Sequence, residues 1–82
     1  MTDDALKALI LREVGNIAPE IDVDQIDPSS NLREQVDLDS MDMLNLLIAI
    51  HEATDVDIPE ADYAKMASVD DAVAYLRARV RQ

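Results

Sequence analysis

The sequence predicts an all-α bundle of three main helices and one short one, with a long loop between the first two. Three observations carry that prediction. Apolar residues recur at three- and four-residue spacing in separate segments, no stretch alternates apolar and polar residues over a convincing strand length, and Pro19, Pro28 and Pro59 fall between the periodic segments. At 82 residues the chain has the size of one domain, residues 1–82, able to fold on a single core without staples. It contains no internal repeat and no low-complexity tract.

The first segment, "TDDALKALILREVGNI", places Leu6, Leu9, Ile10, Val14 and Ile17 on one face, with Thr2 as candidate cap and Asp3 and Asp4 at the positive helix end. The only glycine, Gly15, predicts the helix end, and Pro19 forbids continuation. From Ala18 to Asp39 a long connection carries Ile21, Val23, Ile26, Leu32, Val36 and Leu38 at intervals. Loops this long are uncommon unless functional, so it is expected to lie pinned across the helices by these anchors, with a helical turn near Leu32. "SMDMLNLLIAIHEAT" is the second main helix. Pro59 and its acidic neighbours predict a loop and then a short helix over about Glu60–Ala64. The last helix starts at Ser68, with a relaxed capping box to Asp71, a core stripe of Val69, Val73, Leu76 and Val80, and Arg77, Arg79 and Arg81 at its negative end.

Composition narrows the function. No Cys is present, so the chain can form neither a disulfide nor a thiolate metal site, and any thiol chemistry must be imported. The start, "MTDDALKALI", has acids where a signal peptide has positive charge, and no apolar run is long enough to cross a bilayer, which gives a cytoplasmic reading without membrane insertion. Eighteen acids against seven bases give a net charge of −11, which repels nucleic acid and anionic lipid and favours basic protein surfaces. Acidity also serves plain solubility, so where the acids lie decides between the two. The runs "DVD" and "IDVDQID" lack the spaced ligands, glycine and terminal Glu of a calcium loop, and no metal site is expected.

The second main helix has more apolar surface than a small core needs. At about 100° per residue, Met43, Leu46, Leu47, Ile50 and Thr54 share one sector, the core face. Met41, Leu44 and Ile48 share an adjacent one, bordered by Asp42, Asn45, His51 and Glu52. Either this second stripe packs under the long loop, where Val36 and Leu38 need neighbours, or it is an exposed docking strip rimmed by acids, on a helix without Lys or Arg.

Ser40 opens this helix as a lone hydroxyl among acids. It is either the cap or, if Asp39 caps and Asp42 closes a D-x-x-D box, a free hydroxyl at a helix N-terminus, where backbone donors favour a phosphate. The only histidine, His51, lies eleven residues along the same helix, too far to activate it as a nucleophile. His51 reads as a surface or interface residue.

The stretch "LREQVDLDSMDMLNLLIAIHEATDVDIPEADYAKMASVDDAVAYL", Leu32 to Leu76, resembles the acyl carrier protein family, with its D-S-L type motif, apolar second helix, acidic I-P segment and capped final helix. The resemblance extends more weakly through the first helix. It implies a non-enzymatic carrier with a four-helix acyl-carrier-like fold, whose Ser40 is esterified with 4′-phosphopantetheine from coenzyme A by a phosphopantetheinyl transferase. Asp39 is implied to assist that enzyme's magnesium-dependent step. Partner binding falls to Met41, Asp42, Leu44, Ile48 and Glu52, facing acyl-transferring and acyl-modifying enzymes with basic docking surfaces, and a monomer suits a carrier with many partners. Asp37 stands where many members have Gly, although Asp tolerates a left-handed turn. Met41 replaces the usual Leu, Asn45 and His51 replace acids, and Thr54 replaces a frequent aromatic. These departures point to a dedicated carrier for fatty acid, polyketide or related synthesis rather than a general one. The alternatives are an aminoacyl or peptidyl carrier of a nonribosomal pathway, whose glycine-rich motif "VDLDS" lacks, and an unmodified acidic helical adaptor.

Overall fold

The computed structural model describes residues 2–80, and these contain α-helices and 3₁₀ turns but no strand. Arg81, assigned above to the end of the last helix, lies outside the described residues. Helix α1 runs Asp3–Ile17, and its N-cap is Thr2, whose hydroxyl accepts a bond from the Ala5 amide at 3.1 Å. Gly15 does not end it: the helix continues to Ile17, and the Ala18 amide donates to Val14 O at 2.9 Å. A glycine costs helix stability but does not forbid a helix, whereas Pro19 cannot extend one, and that difference sets the boundary. The 3₁₀ turn Val23–Gln25 packs against α1 here, and a Cβ at position 15 would stand 3.4 Å from Val23 Cγ1, an ordinary packing contact.

The long connection is more ordered than its composition implies. Beyond the 3₁₀ turn it forms helix α2, Leu32–Val36, capped by Asn31. The Gln35 amide accepts from Asp27 N at 2.9 Å and donates to Asp27 O at 2.8 Å, which fastens the loop to α2. Two backbone bonds then tie this region to the start of the last helix, Leu32 N to Ala67 O at 2.8 Å and Asp70 N to Pro28 O at 2.9 Å. Leu32, Val36 and Leu38 are buried in the common core, as anchors should be.

Helix α3 spans Ser40–Thr54 as the sequence predicts, with Met43, Leu46, Leu47 and Ile50 buried. Thr54 is half-buried on the same face, its hydroxyl donating to Ile50 O at 2.7 Å. The predicted short helix is a 3₁₀ segment, Glu60–Met66, two residues longer than expected. Such runs are uncommon because 3₁₀ hydrogen bonds are poorly aligned, and here a side chain supplies extra anchorage: Tyr75 Oη donates to Asp62 Oδ2 at 2.6 Å. Helix α4 spans Val69–Arg77, with Ser68 Oγ accepting from Asp71 N at 3.0 Å. Its buried face is Val69, Ala72, Tyr75 and Leu76, while Val73 and Val80 are only half-buried. The stripe is rotated because Tyr75 buries its ring while its hydroxyl finds Asp62 and its face carries the Arg79 guanidinium at 3.7 Å. α4 packs chiefly on α1, and α1 also packs on α3.

Candidate functional site

The Asp37 backbone builds the entrance to α3. It takes the left-handed conformation, φ 57° and ψ 43°, at the C-cap of α2, a conformation that short polar side chains tolerate better than most. The Leu38 amide returns to Arg33 O at 3.2 Å, and Leu38 is buried, so the chain reverses sharply and delivers Asp39 and Ser40 to the surface. Asp39 caps α3. Its carboxylate accepts from Asp42 N at 2.8 Å, and Asp42 Oδ2 accepts from Asp39 N at 3.4 Å, a reciprocal capping box.

Ser40 is therefore the first helical residue, exposed and not used as a cap. Its hydroxyl has one side-chain neighbour within hydrogen-bonding distance among the described residues, Arg33 Nη2 at 3.4 Å. The sequence places Arg33 seven residues away, and only the left-handed turn at Asp37 brings the two together. That is the residue sequence reasoning missed, and the Gly-like position of Asp37 was the available signal.

Ser40 opens on a cleft of about 640 Å³ whose lining includes Arg33, Met43, Leu44, Leu47, Tyr63 and Ala64. It lies between α3 and the 3₁₀ segment. Further along α3 a second depression of about 480 Å³ includes Ile48, His51, Ile58 and Tyr63 in its lining. The second apolar stripe of α3 does not pack under the loop: Met41 is 62% exposed and Ile48 45% exposed, while Leu44 is half-buried at the cleft. Val36 and Leu38 find their neighbours in the main core instead. Asp39 and Glu52 are exposed and Asp42 is half-buried, so all three acids are accessible from solvent.

His51 is structural in its contacts. Its Nδ1–H donates to Val56 O at 2.8 Å beyond the left-handed turn at Asp55, φ 58°, and Asp57 Oδ1 lies 3.7 Å from the same nitrogen. Two carboxylates have clearly displaced titrations, both away from Ser40. Bonds from the Ser29 and Ser30 hydroxyls hold Asp27 below the usual range, and the Tyr75 hydroxyl, helped by Lys65, does the same for Asp62. Burial and then Asp62 push the Tyr75 phenol up. Among the described residues no cluster of His, Asp or Glu is arranged to hold a metal ion, and no helix is long and apolar enough to cross a membrane. The arrangement offers a free hydroxyl beside a guanidinium, at a helix N-terminus, facing a partly apolar cleft. It fits a phosphate ester with a flexible organic chain.

Comparison with known proteins agrees. The sequence model of a family described as "Phosphopantetheine attachment site" matches residues 4–76. Acyl carrier protein of Helicobacter hepaticus is 29% identical over 77 residues, covering 94% of this chain and 95% of that protein. Acyl carrier protein of Campylobacter jejuni is 31% identical over 75 residues, covering 92% and 91%. The solved structure of acyl carrier protein from Enterococcus faecalis superposes with a TM-score of 0.80 at 20% identity, covering 95% of this chain and 98% of that one, and so shares the fold. With its family pattern matched over nearly its whole length and its helices arranged as in a solved relative, the chain belongs to the acyl carrier protein family, carriers rather than enzymes, whose cofactor is covalently attached 4′-phosphopantetheine.

Proposed function

We propose that the protein, acting as a single carrier domain over residues 1–82, bears its 4′-phosphopantetheine on Ser40 and presents acyl intermediates to a dedicated set of biosynthetic enzymes. The observation that carries this reading is the division of labour at the start of α3: Asp39 holds the cap, which leaves the Ser40 hydroxyl exposed and free. In the loading reaction Ser40 Oγ forms a bond to the phosphorus at the pantetheine end of coenzyme A. The pyrophosphate bond breaks, adenosine 3′,5′-bisphosphate leaves, and the serine proton passes to a base of the transferase. Asp39, the residue before Ser40, takes the role of assisting the transferase's magnesium-dependent step. Once attached, the arm supplies the thiol that the sequence lacks, on which an acyl group is held as a thioester.

The rest of α3 serves recognition. Met41, Leu44 and Ile48 form an apolar strip with Asp39, Asp42 and Glu52 around it. This pattern suits enzymes with basic rims and apolar centres, since charge accelerates encounter and apolar burial holds the complex. Service as a dedicated carrier, in fatty acid, polyketide or related synthesis, is supported by the replacements on this face, above all Asn45 and His51 in place of acids. Incubation with coenzyme A and a phosphopantetheinyl transferase, followed by intact mass and peptide mapping, tests the site. The expected result is one added phosphopantetheine on Ser40 and none on Ser40→Ala. Modification of the alanine variant would place the arm elsewhere.

A further inference from the structure

Arg33 is spare charge in a chain with little to spare. The chain has seven Lys and Arg against eighteen acids, and most of the described cations are engaged with carboxylates or an aromatic ring. Arg12 lies 3.7 Å from Glu13, Lys65 3.3 Å from Asp62 and Arg77 2.8 Å from Asp3, while Arg79 covers the Tyr75 ring. Arg33 makes no such ion pair among the described residues. Its guanidinium instead rests on neutral oxygens at long distance, Nε to Leu38 O at 3.5 Å and Nη2 to Ser40 Oγ at 3.4 Å. Its backbone is held independently, because the amides of Asp37 and Leu38 both bond to Arg33 O. The main chain is therefore fixed while the side chain is weakly satisfied, beside an exposed hydroxyl with Asp39 and Asp42 close by in sequence.

We propose that Arg33 is the phosphate-positioning residue of this carrier: its guanidinium binds the phosphodiester formed on Ser40 and sets the direction in which the arm leaves the helix. This rests on the reading that Ser40 carries the arm. The guanidinium is already 3.4 Å from Ser40 Oγ, and a non-bridging phosphate oxygen lies two bonds beyond that atom, through phosphorus, so a charge-assisted bond of about 2.7–2.9 Å needs side-chain motion only. The phosphodiester is a permanent anion introduced between two carboxylates of an already acidic protein, which gives a neighbouring cation a specific task. Because Arg33 lines the cleft between α3 and the 3₁₀ segment, engagement of the phosphate by Arg33 starts the arm on the cleft side of α3 rather than on the side of Met41. Lysine lacks the planar fork that engages two phosphate oxygens together, so it should replace arginine only in part.

The test uses the intact carrier in its unloaded and pantetheine-loaded forms. Mass spectrometry first scores addition at Ser40. Loading should then shift the Arg33 side-chain Nε–Hε resonance while leaving that of Arg77 in place. Arg33→Gln should move the ³¹P resonance of the phosphodiester and abolish the salt dependence it shows in the parent, and Arg33→Lys should give an intermediate ³¹P position. Arg33 is exposed, and circular dichroism of the variants checks that the helices persist. If Ser40 gains mass but neither the Arg33 resonance responds to loading nor the ³¹P resonance to Arg33→Gln, the arginine assignment is overturned while the attachment site stands. If Ser40 gains no mass, both fall.

Discussion

Replacing Asp39 by Ala should unfold the protein more readily while replacing Ser40 by Ala should not, and the difference between these neighbours tests which of them holds the helix. Asp39 accepts the Asp42 amide at 2.8 Å, whereas the return bond from Asp39 N to Asp42 Oδ2 is 3.4 Å and weak. Loss of an N-cap acceptor costs about 0.5–2 kcal/mol, typically about 1 kcal/mol. In a domain of this length, 1 kcal/mol lowers the melting midpoint by roughly 4–8 °C. Asp39→Asn keeps an acceptor of the same shape and should lose a small part of that. Ser40 offers only the 3.4 Å contact with Arg33, so Ser40→Ala should stay within about 0.5 kcal/mol of the parent, as exposed substitutions do. Urea and thermal unfolding of the unloaded proteins, followed by far-ultraviolet circular dichroism at fixed salt, measure all four. If Ser40→Ala were the more costly of the two alanine changes, the serine would be the cap and the argument for a free hydroxyl would fail.

Trimming the strip on α3 by Met41→Ala or Ile48→Ala should weaken binding to a partner enzyme by about 1 kcal/mol each, or about fivefold in Kd, with stability little changed. Reversing Asp42 and Glu52 to Lys should slow association and flatten its salt dependence. Calorimetry and stopped-flow mixing across a salt series check both, and indifference to every one of these changes would move the docking surface off α3. Tyr75→Phe removes the bond to Asp62 and should lower the melting midpoint at neutral pH. Because that bond holds the Asp62 pKa below its unfolded value, its contribution is present above about pH 4 and is lost as pH falls through the depressed folded value, so parent and variant should converge in acid. Tyr75 has the opposite shift, so the parent's advantage should also fade as pH rises beyond about 10 and through its raised folded value. Finally, an acylated form should melt higher than the form with the bare arm if the cleft shelters the chain, and core-methyl NMR shifts that ignore acylation would place the chain in solvent.

The helices were legible because each carries its own period and caps: α3 was readable to the residue from Asp39, Asp42 and its apolar faces. Less legible was anything that depends on hydrogen bonds between separate segments. Gln35 fastening Asp27, and Leu32 and Asp70 bridging to Ala67 and Pro28, turn an apparent loop into ordered structure, yet none of these residues announces its partner. The 3₁₀ form of Glu60–Met66 was hidden for the same reason, since the choice between helix types depends on how Tyr75 reaches Asp62. At the site, Ser40 and Asp39 were visible as neighbours in sequence. Arg33 was invisible as a neighbour in space, because a single left-handed residue decides which way its helix points.

The contact between Asp3 and Arg77, 2.8 Å apart across 74 positions of sequence, has a bearing on how fast the chain folds. It belongs to the α1–α4 packing, so the two outermost helices must find one another before the bundle is complete. Joining segments so remote carries a loop-closure entropy cost that local contacts do not, and folding rates fall as such contacts come to dominate. A circularly permuted chain, with α4 linked to α1 and new ends at the exposed Pro19–Glu20 turn, would make that pairing local. Its refolding should be faster than the parent's to the extent that the meeting of α1 and α4 limits the rate.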